Sequence, residues 1–185
     1  MNSVNADLLS LEPAEARNTL LIVDDEQNIR NALHRLLRKE PYEIVLASGP
    51  FEALEIVQEF EVGVVLSDHA MPGMTGIELL RRIKELDPRT IRMVLTGQAD
   101  LEMAISAINN GEVTKFFTKP WDDHQLKADL RIAFNTLKLQ AELHKVLDAL
   151  RRKNQVIDYL ERQHPGITNV ERNADGAIVI PIEDF

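Results

Sequence analysis

The sequence predicts an α/β protein built on a five-stranded parallel sheet. Three observations predict it. From residue 19 onward, short apolar runs alternate strictly with stretches of helical period, five of each, which is the pattern of successive β-α units. Right-handed crossovers between such units place every strand C-terminus on one edge of the sheet. The residues that follow the strands are polar and chemically matched to one another, as expected of a ligand edge.

The elements follow in order. TLLIV (19–23) is a short apolar strand, and QNIRNALHRLLRKE (27–40) is amphipathic, with Ile29, Leu33, Leu36 and Leu37 on one face. YEIVLA (42–47) is the second strand. PFEALEIVQEF (50–60) opens with Pro50 at a first helical position, where a missing N–H costs nothing. VGVVLS (62–67) is the third strand, and GIELLRRIKEL (76–86) the third helix, closed by Pro88. IRMVLT (91–96) precedes a fourth helix, DLEMAISAINNG (100–111), whose Gly111 is its expected C-terminal cap. KFFT (115–118) is the fifth strand, and a long helical stretch begins near Asp122.

The edge then collects Asp24, Asp25 and Glu26 after the first strand, Asp68 after the third, Thr96 and Gly97 after the fourth, and Lys119 and Pro120 after the fifth. Converging carboxylates repel one another and call for a cation. An oxygen-only donor set without His or Cys suits a hard ion, Mg²⁺ above all. A hydroxyl (Thr96) and an ammonium (Lys119) on neighbouring strands suit a phosphoryl group. The nucleophile would be a carboxylate, and Asp68 stands alone at the middle strand. The small residues of its loop, Gly73 and Gly76, allow close backbone approach.

The runs LIVDDE, LSDHAMPGMTG, LTG and FFTKPW stand in this order at the ends of four strands. With them the sequence resembles the receiver domain of two-component response regulators, over about residues 19–135. The resemblance implies a flavodoxin-like, doubly wound sheet of order 2-1-3-4-5. It implies that Asp68 accepts a phosphoryl group from a histidine kinase or phosphotransfer protein. Asp24 and Asp25 would bind Mg²⁺ together with Asp68 and the backbone carbonyl of Ala70, and Pro120 would follow a cis peptide bond. Thr96 and Phe116 would be a switch pair, Thr96 moving onto the phosphoryl group and the ring rotating inward. The KPWDD run is most similar to receivers that precede HD-GYP cyclic-di-GMP phosphodiesterases and some transcription regulators. Ala70, two residues after the acceptor, has no side chain that could orient a water, whereas Gln98 does. His69 reads as a partly exposed loop residue.

Other classes are disfavoured. A formal charge of −9 argues against nucleic-acid binding through a general basic patch. The chain has no cysteine, which excludes disulfides and suits the cytoplasm. None of the five histidines shows metal-ligand spacing. No apolar run approaches the roughly 18 residues of a membrane helix. An Mg²⁺-dependent aspartyl phosphatase of the haloacid dehalogenase kind would need an acid two residues after the nucleophile, where this sequence has Ala70.

The last helix runs without Gly or Pro from about Asp122 to Gln163, about 60 Å at 1.5 Å per residue. Leu126, Leu130, Ala133 and Leu137 are expected to pack on the sheet. A second stripe follows: Leu139, Leu143, Val146, Leu150, Ile157 and Leu160, with Lys153 filling the one gap in a heptad. A competing stripe runs through Leu143, Leu147, Leu150, Asn154 and Ile157, and the pattern does not choose between them. Either would serve as the seam of a coiled coil, so a homodimer is expected ahead of a helix that folds back on its own receiver or pairs with a helix of another protein.

The expected organisation is a flexible tail (1–18), a receiver domain (19–137), a coiled-coil helix (138–163) and a C-terminal tail (164–185). In that tail NADG is flanked by short strand-like runs, the pattern expected of a β-hairpin. With no DNA-binding or catalytic unit after the receiver, the expected product is a signalling protein without enzymatic output. It would act by contact with an output protein.

Overall fold

A computed structural model describes residues 17–164. Its elements are β1 (Thr19–Val23), α1 (Gln27–Leu37), β2 (Glu43–Ala47), α2 (Pro50–Glu59), β3 (Val64–Asp68), α3 (Gly76–Leu86), β4 (Ile91–Thr96), a 3₁₀ turn (Gln98–Asp100), α4 (Leu101–Asn109), β5 (Lys115–Thr118) and α5 (Asp123–Gln163). The five strands are parallel and ordered β2-β1-β3-β4-β5. This is the expected doubly wound, flavodoxin-like sheet with five helices. The proposed hairpin and nearly all of the N-terminal tail lie outside the described residues. None of the helices among those residues is long and apolar enough to cross a membrane.

Period-two alternation along the strands divides the core. Leu20 and Ile22 of β1 pack with Leu33 and Leu37 of α1 and with Leu126, Leu130 and Ala133 of α5. Leu21 and Val23 point the other way, into Ala53 of α2, Leu79 and Leu80 of α3 and Ala104 of α4. The central strands β1 and β3 are apolar on both faces because helices cover both. The positions expected to seat α5, Leu126, Leu130, Ala133 and Leu137, are all buried.

Some boundaries differ from the sequence reading. α1 stops at Leu37, short of Glu40, because Pro41 biases the preceding residue away from helical geometry. The stretch before α4 is a 3₁₀ turn, and α4 starts at Leu101. Gly111 follows its C-cap at φ +66°, with its N–H donating to the Ile108 carbonyl at 2.9 Å. α3 opens with a capping box that sequence reading passed over. The Thr75 hydroxyl accepts from the Glu78 N–H, and the Glu78 carboxylate accepts from the Thr75 N–H.

The chain divides into two compact units, Glu15–Ala141 and a second that includes the later part of α5 from Glu142. The first is tied off where the chain enters the sheet. Arg17, its side chain almost fully buried, ion-pairs with Asp87 beyond the end of α3 and with Glu61 at 3.3 Å. Burial alone would raise the Asp87 carboxyl, but hydrogen bonds from Arg17 and the Arg89 N–H outweigh it and hold it below its ordinary value of 3.8. A depressed carboxyl stabilises the fold above the unfolded value, and that stability is lost as pH falls through the folded one. Asp87→Asn should therefore cost about 1–3 kcal/mol at pH 7, read by urea denaturation. The difference from wild type should shrink below about pH 4.

Candidate functional site

The site is assembled at the C-terminal edge of the sheet. Asp24 follows β1 and is fully buried, Asp68 ends β3 and is 5% exposed, and Asp25 faces solvent. Oxygens of the three carboxylates lie within 4.8 Å of one another. The Lys119 ammonium, from the end of β5, sits 2.7 Å from Asp68 Oδ1 and 3.2 Å from Asp24 Oδ2. The Lys119–Pro120 peptide is cis. The Lys119 N–H donates to the Thr96 carbonyl at 2.8 Å, which joins β5 to β4 directly below the site.

Local bonds hold each group. The Glu26 N–H donates to Asp24 Oδ1 at 2.8 Å, and the Arg30 guanidinium donates to the Asp24 carbonyl. Arg30 has no special place in the sequence pattern, and only folding brings α1's first turn over β1's end. Thr96 is buried, its hydroxyl donating to the Gly97 carbonyl at 3.2 Å. Phe116 is half-buried against the α4 side of the core. Ala70 is exposed in the loop after β3.

The electrostatics are those of a crowded anionic site. Burial raises the Asp24 carboxyl, against the pull of the Glu26 N–H and Lys119 and with the help of the Asp68 charge. For Lys119 burial works against the charged form. The hydrogen bond and charge of Asp68, and then those of Asp24, outweigh it, and the ammonium is held above its usual value. Three carboxylates against one ammonium leave two negative charges in excess. An all-oxygen donor set with that excess fits a hard divalent cation such as Mg²⁺.

His69 corrects an expectation. It is only 5% exposed, and its Nδ1 has no hydrogen-bond partner among the described residues. The reason lies in its backbone. The His69 N–H continues the β3–β4 ladder to the Leu95 carbonyl at 2.8 Å, and the His69 carbonyl accepts from the Gly76 N–H at 2.9 Å. The residue is thus an extension of the strand enclosed under its loop. Gly76 makes this closure possible, because a Cβ there would stand 2.0 Å from the Asp68 carbonyl oxygen.

A buried strand-end aspartate, an acidic pocket and a lysine at the edge of a 2-1-3-4-5 sheet define the receiver class of signalling domains. The chain matches the response regulator receiver domain model over residues 20–131 and belongs to that family. The hydrogenase transcriptional regulatory protein HoxA of Cupriavidus necator is 32% identical over 144 residues, covering 78% of this chain and 30% of that protein. The chain thus spans under a third of that regulator's length. Sporulation initiation phosphotransferase F of Bacillus subtilis is 35% identical over 58% of this chain and 86% of its own. Among solved structures, the signal receiver domain of an HD domain-containing protein from Pseudomonas fluorescens Pf-5 is 36% identical. It has a TM-score of 0.64 and covers 72% of this chain and 98% of that one. Receivers are in general phosphoacceptors rather than enzymes.

Gly76→Ala should push β3 and the loop that follows it apart. It should destabilise the protein by about 1–3 kcal/mol, measured by urea denaturation. Ala substitution at Gly49, where a Cβ meets nothing within 4 Å, is the control and should cost less.

Proposed function

We propose that this chain is a response regulator whose Asp68 receives a phosphoryl group from a histidine kinase or phosphotransfer protein. The observation that carries the reading is the Asp24–Asp25–Asp68 cluster with Lys119 paired to two of its carboxylates. In the transfer, an Asp68 carboxylate oxygen forms the new P–O bond as the P–N bond to the donor imidazole breaks. The released imidazole nitrogen then takes up a proton. Asp24, Asp25, Asp68 and the Ala70 carbonyl would hold Mg²⁺. Such an ion supplies charge neutralisation for oxygens around phosphorus. Lys119 contributes a second positive charge already in place. Thr96 and Phe116 form the switch pair, the hydroxyl leaving the Gly97 carbonyl for the phosphoryl group. Pro120 turns the chain from Lys119 toward α5.

We assign residues 19–137 to the receiver and 138–163 to a dimerising helix. The protein would work in the cytoplasm and pass its signal by contact to an output protein, with transcriptional or HD-domain output by analogy with its relatives. Support for the dimer is the exposed stripe Leu139, Leu143, Val146, Leu150, Ile157 and Leu160, each 37–65% exposed. Burying such side chains is worth about 1.5–3 kcal/mol apiece before association entropy is subtracted.

With acetyl phosphate and Mg²⁺, mass spectrometry should show one added phosphoryl group on wild type and none on Asp68→Ala. Asp25→Ala should lose the Mg²⁺ dependence. Equal labelling of Asp68→Ala would refute the assignment. Lys119→Ala should still be labelled to some extent but lose phosphorylation-dependent changes in partner binding, checked by pull-down with and without acetyl phosphate. Sedimentation should give a dimer for the full chain and a monomer both for a truncation after Leu137 and for Leu150→Asp.

A further inference from the structure

Between Leu139 and Leu160 the a and d positions of α5 contain one charged residue, and that residue restricts how two copies can meet. With Leu143, Leu150 and Ile157 at a positions, the d positions are Leu139, Val146, Lys153 and Leu160. The competing seam through Leu147 and Asn154 would leave Leu139, Val146 and Leu160 in water, and all three are exposed in the single chain. The first seam buries more apolar surface, but it must accommodate Lys153.

In a parallel, in-register pair each d residue meets its own counterpart. Lys153 would then face the same lysine of the second copy, enclosed by Leu150, Asn154 and Ile157 of that chain, with no carboxylate in reach. In an antiparallel pair a d residue sits opposite an a residue and beside the g residue that precedes it. Opposite Leu150 that neighbour is Ala149, and opposite Ile157 it is Val156. Opposite Leu143 it is Glu142. Of these three registers, that one alone gives the buried ammonium a counter-charge. It also sets Leu150 against Val146 and Ile157 against Leu139, and two-fold symmetry repeats every contact. Within one chain Glu142 and Lys153 are eleven residues apart, about 16 Å along the helix. Their complementarity is therefore usable only between two copies.

We propose that the partner of this face is a second copy of the chain, with the two α5 helices antiparallel and Lys153 of each paired to Glu142 of the other. The proposal rests on the dimer reading above and fixes its register and direction.

The sequence has no cysteine, so introduced thiols report cleanly. Leu139→Cys and Ile157→Cys proteins are mixed, oxidised and separated by non-reducing electrophoresis. The expected product is the mixed disulfide joining position 139 of one chain to position 157 of the other. That bond is impossible in a parallel coil, where these positions lie about 27 Å apart. If disulfides form only between identical positions, 139 to 139 and 157 to 157, the direction is overturned while the dimer stands. A sedimenting dimer with no cross-link would overturn this seam, and a monomer at every concentration would overturn the dimer itself. Charge reversal supplies a second reading by sedimentation. Lys153→Glu should weaken the dimer about tenfold or more, and Lys153→Glu with Glu142→Lys should restore it to within about threefold. Absence of that rescue would overturn the pairing, since in a parallel coil the doubly changed chains still place like charges together.

Discussion

The ammonium of Lys119 is the point on which the site depends. It lies within 3.2 Å of two carboxylates that arrive on different strands, and one of those carboxylates is fully buried. Without a cation, two buried carboxylates a few ångströms apart would repel one another. Lys119 therefore neutralises part of the cluster and leaves an excess of two negative charges for a divalent ion. It also fixes a distance across the sheet, because β4 lies between the strand that carries Lys119 and the strand that carries Asp68. The Lys119 N–H bonded to the Thr96 carbonyl makes that span rigid at its middle.

Such a cluster can persist only on a stiff frame. The central strands are buried on both faces, with α1 and α5 on one side and α2, α3 and α4 on the other. Gly76 lets the start of α3 come against the end of β3, and the Thr75–Glu78 capping box fixes the direction in which that helix leaves. The loop after β3 is thus closed from beneath by backbone.

α5 serves two ends with one helical repeat. Its first turns bury Leu126, Leu130, Ala133 and Leu137, and also Asp129, whose carboxylate pairs with Lys115 of β5 at 2.6 Å. Beyond residue 138 the apolar positions turn outward, and no element of the described chain covers them. An apolar stripe of that length in water is a site of association. β5 leads through Lys119–Pro120 directly into this helix.

By itself the sequence determined the alternation of strands and helices, the edge where the polar residues gather and the identities of Asp24, Asp25, Asp68, Thr96 and Lys119. These were legible because strand periodicity and a charged residue at a strand's end are local signals. Tertiary structure alone decided what depends on packing between distant segments. It set the burial of His69, which follows from a ladder bond to β4. It set the Arg17–Asp87 tie, made between residues 70 apart, and the contact that requires a glycine at 76. Each of these comes from two chain segments that have no pattern in common. Neighbouring residues determine a period, whereas a contact between strangers exists only once the sheet has brought them together.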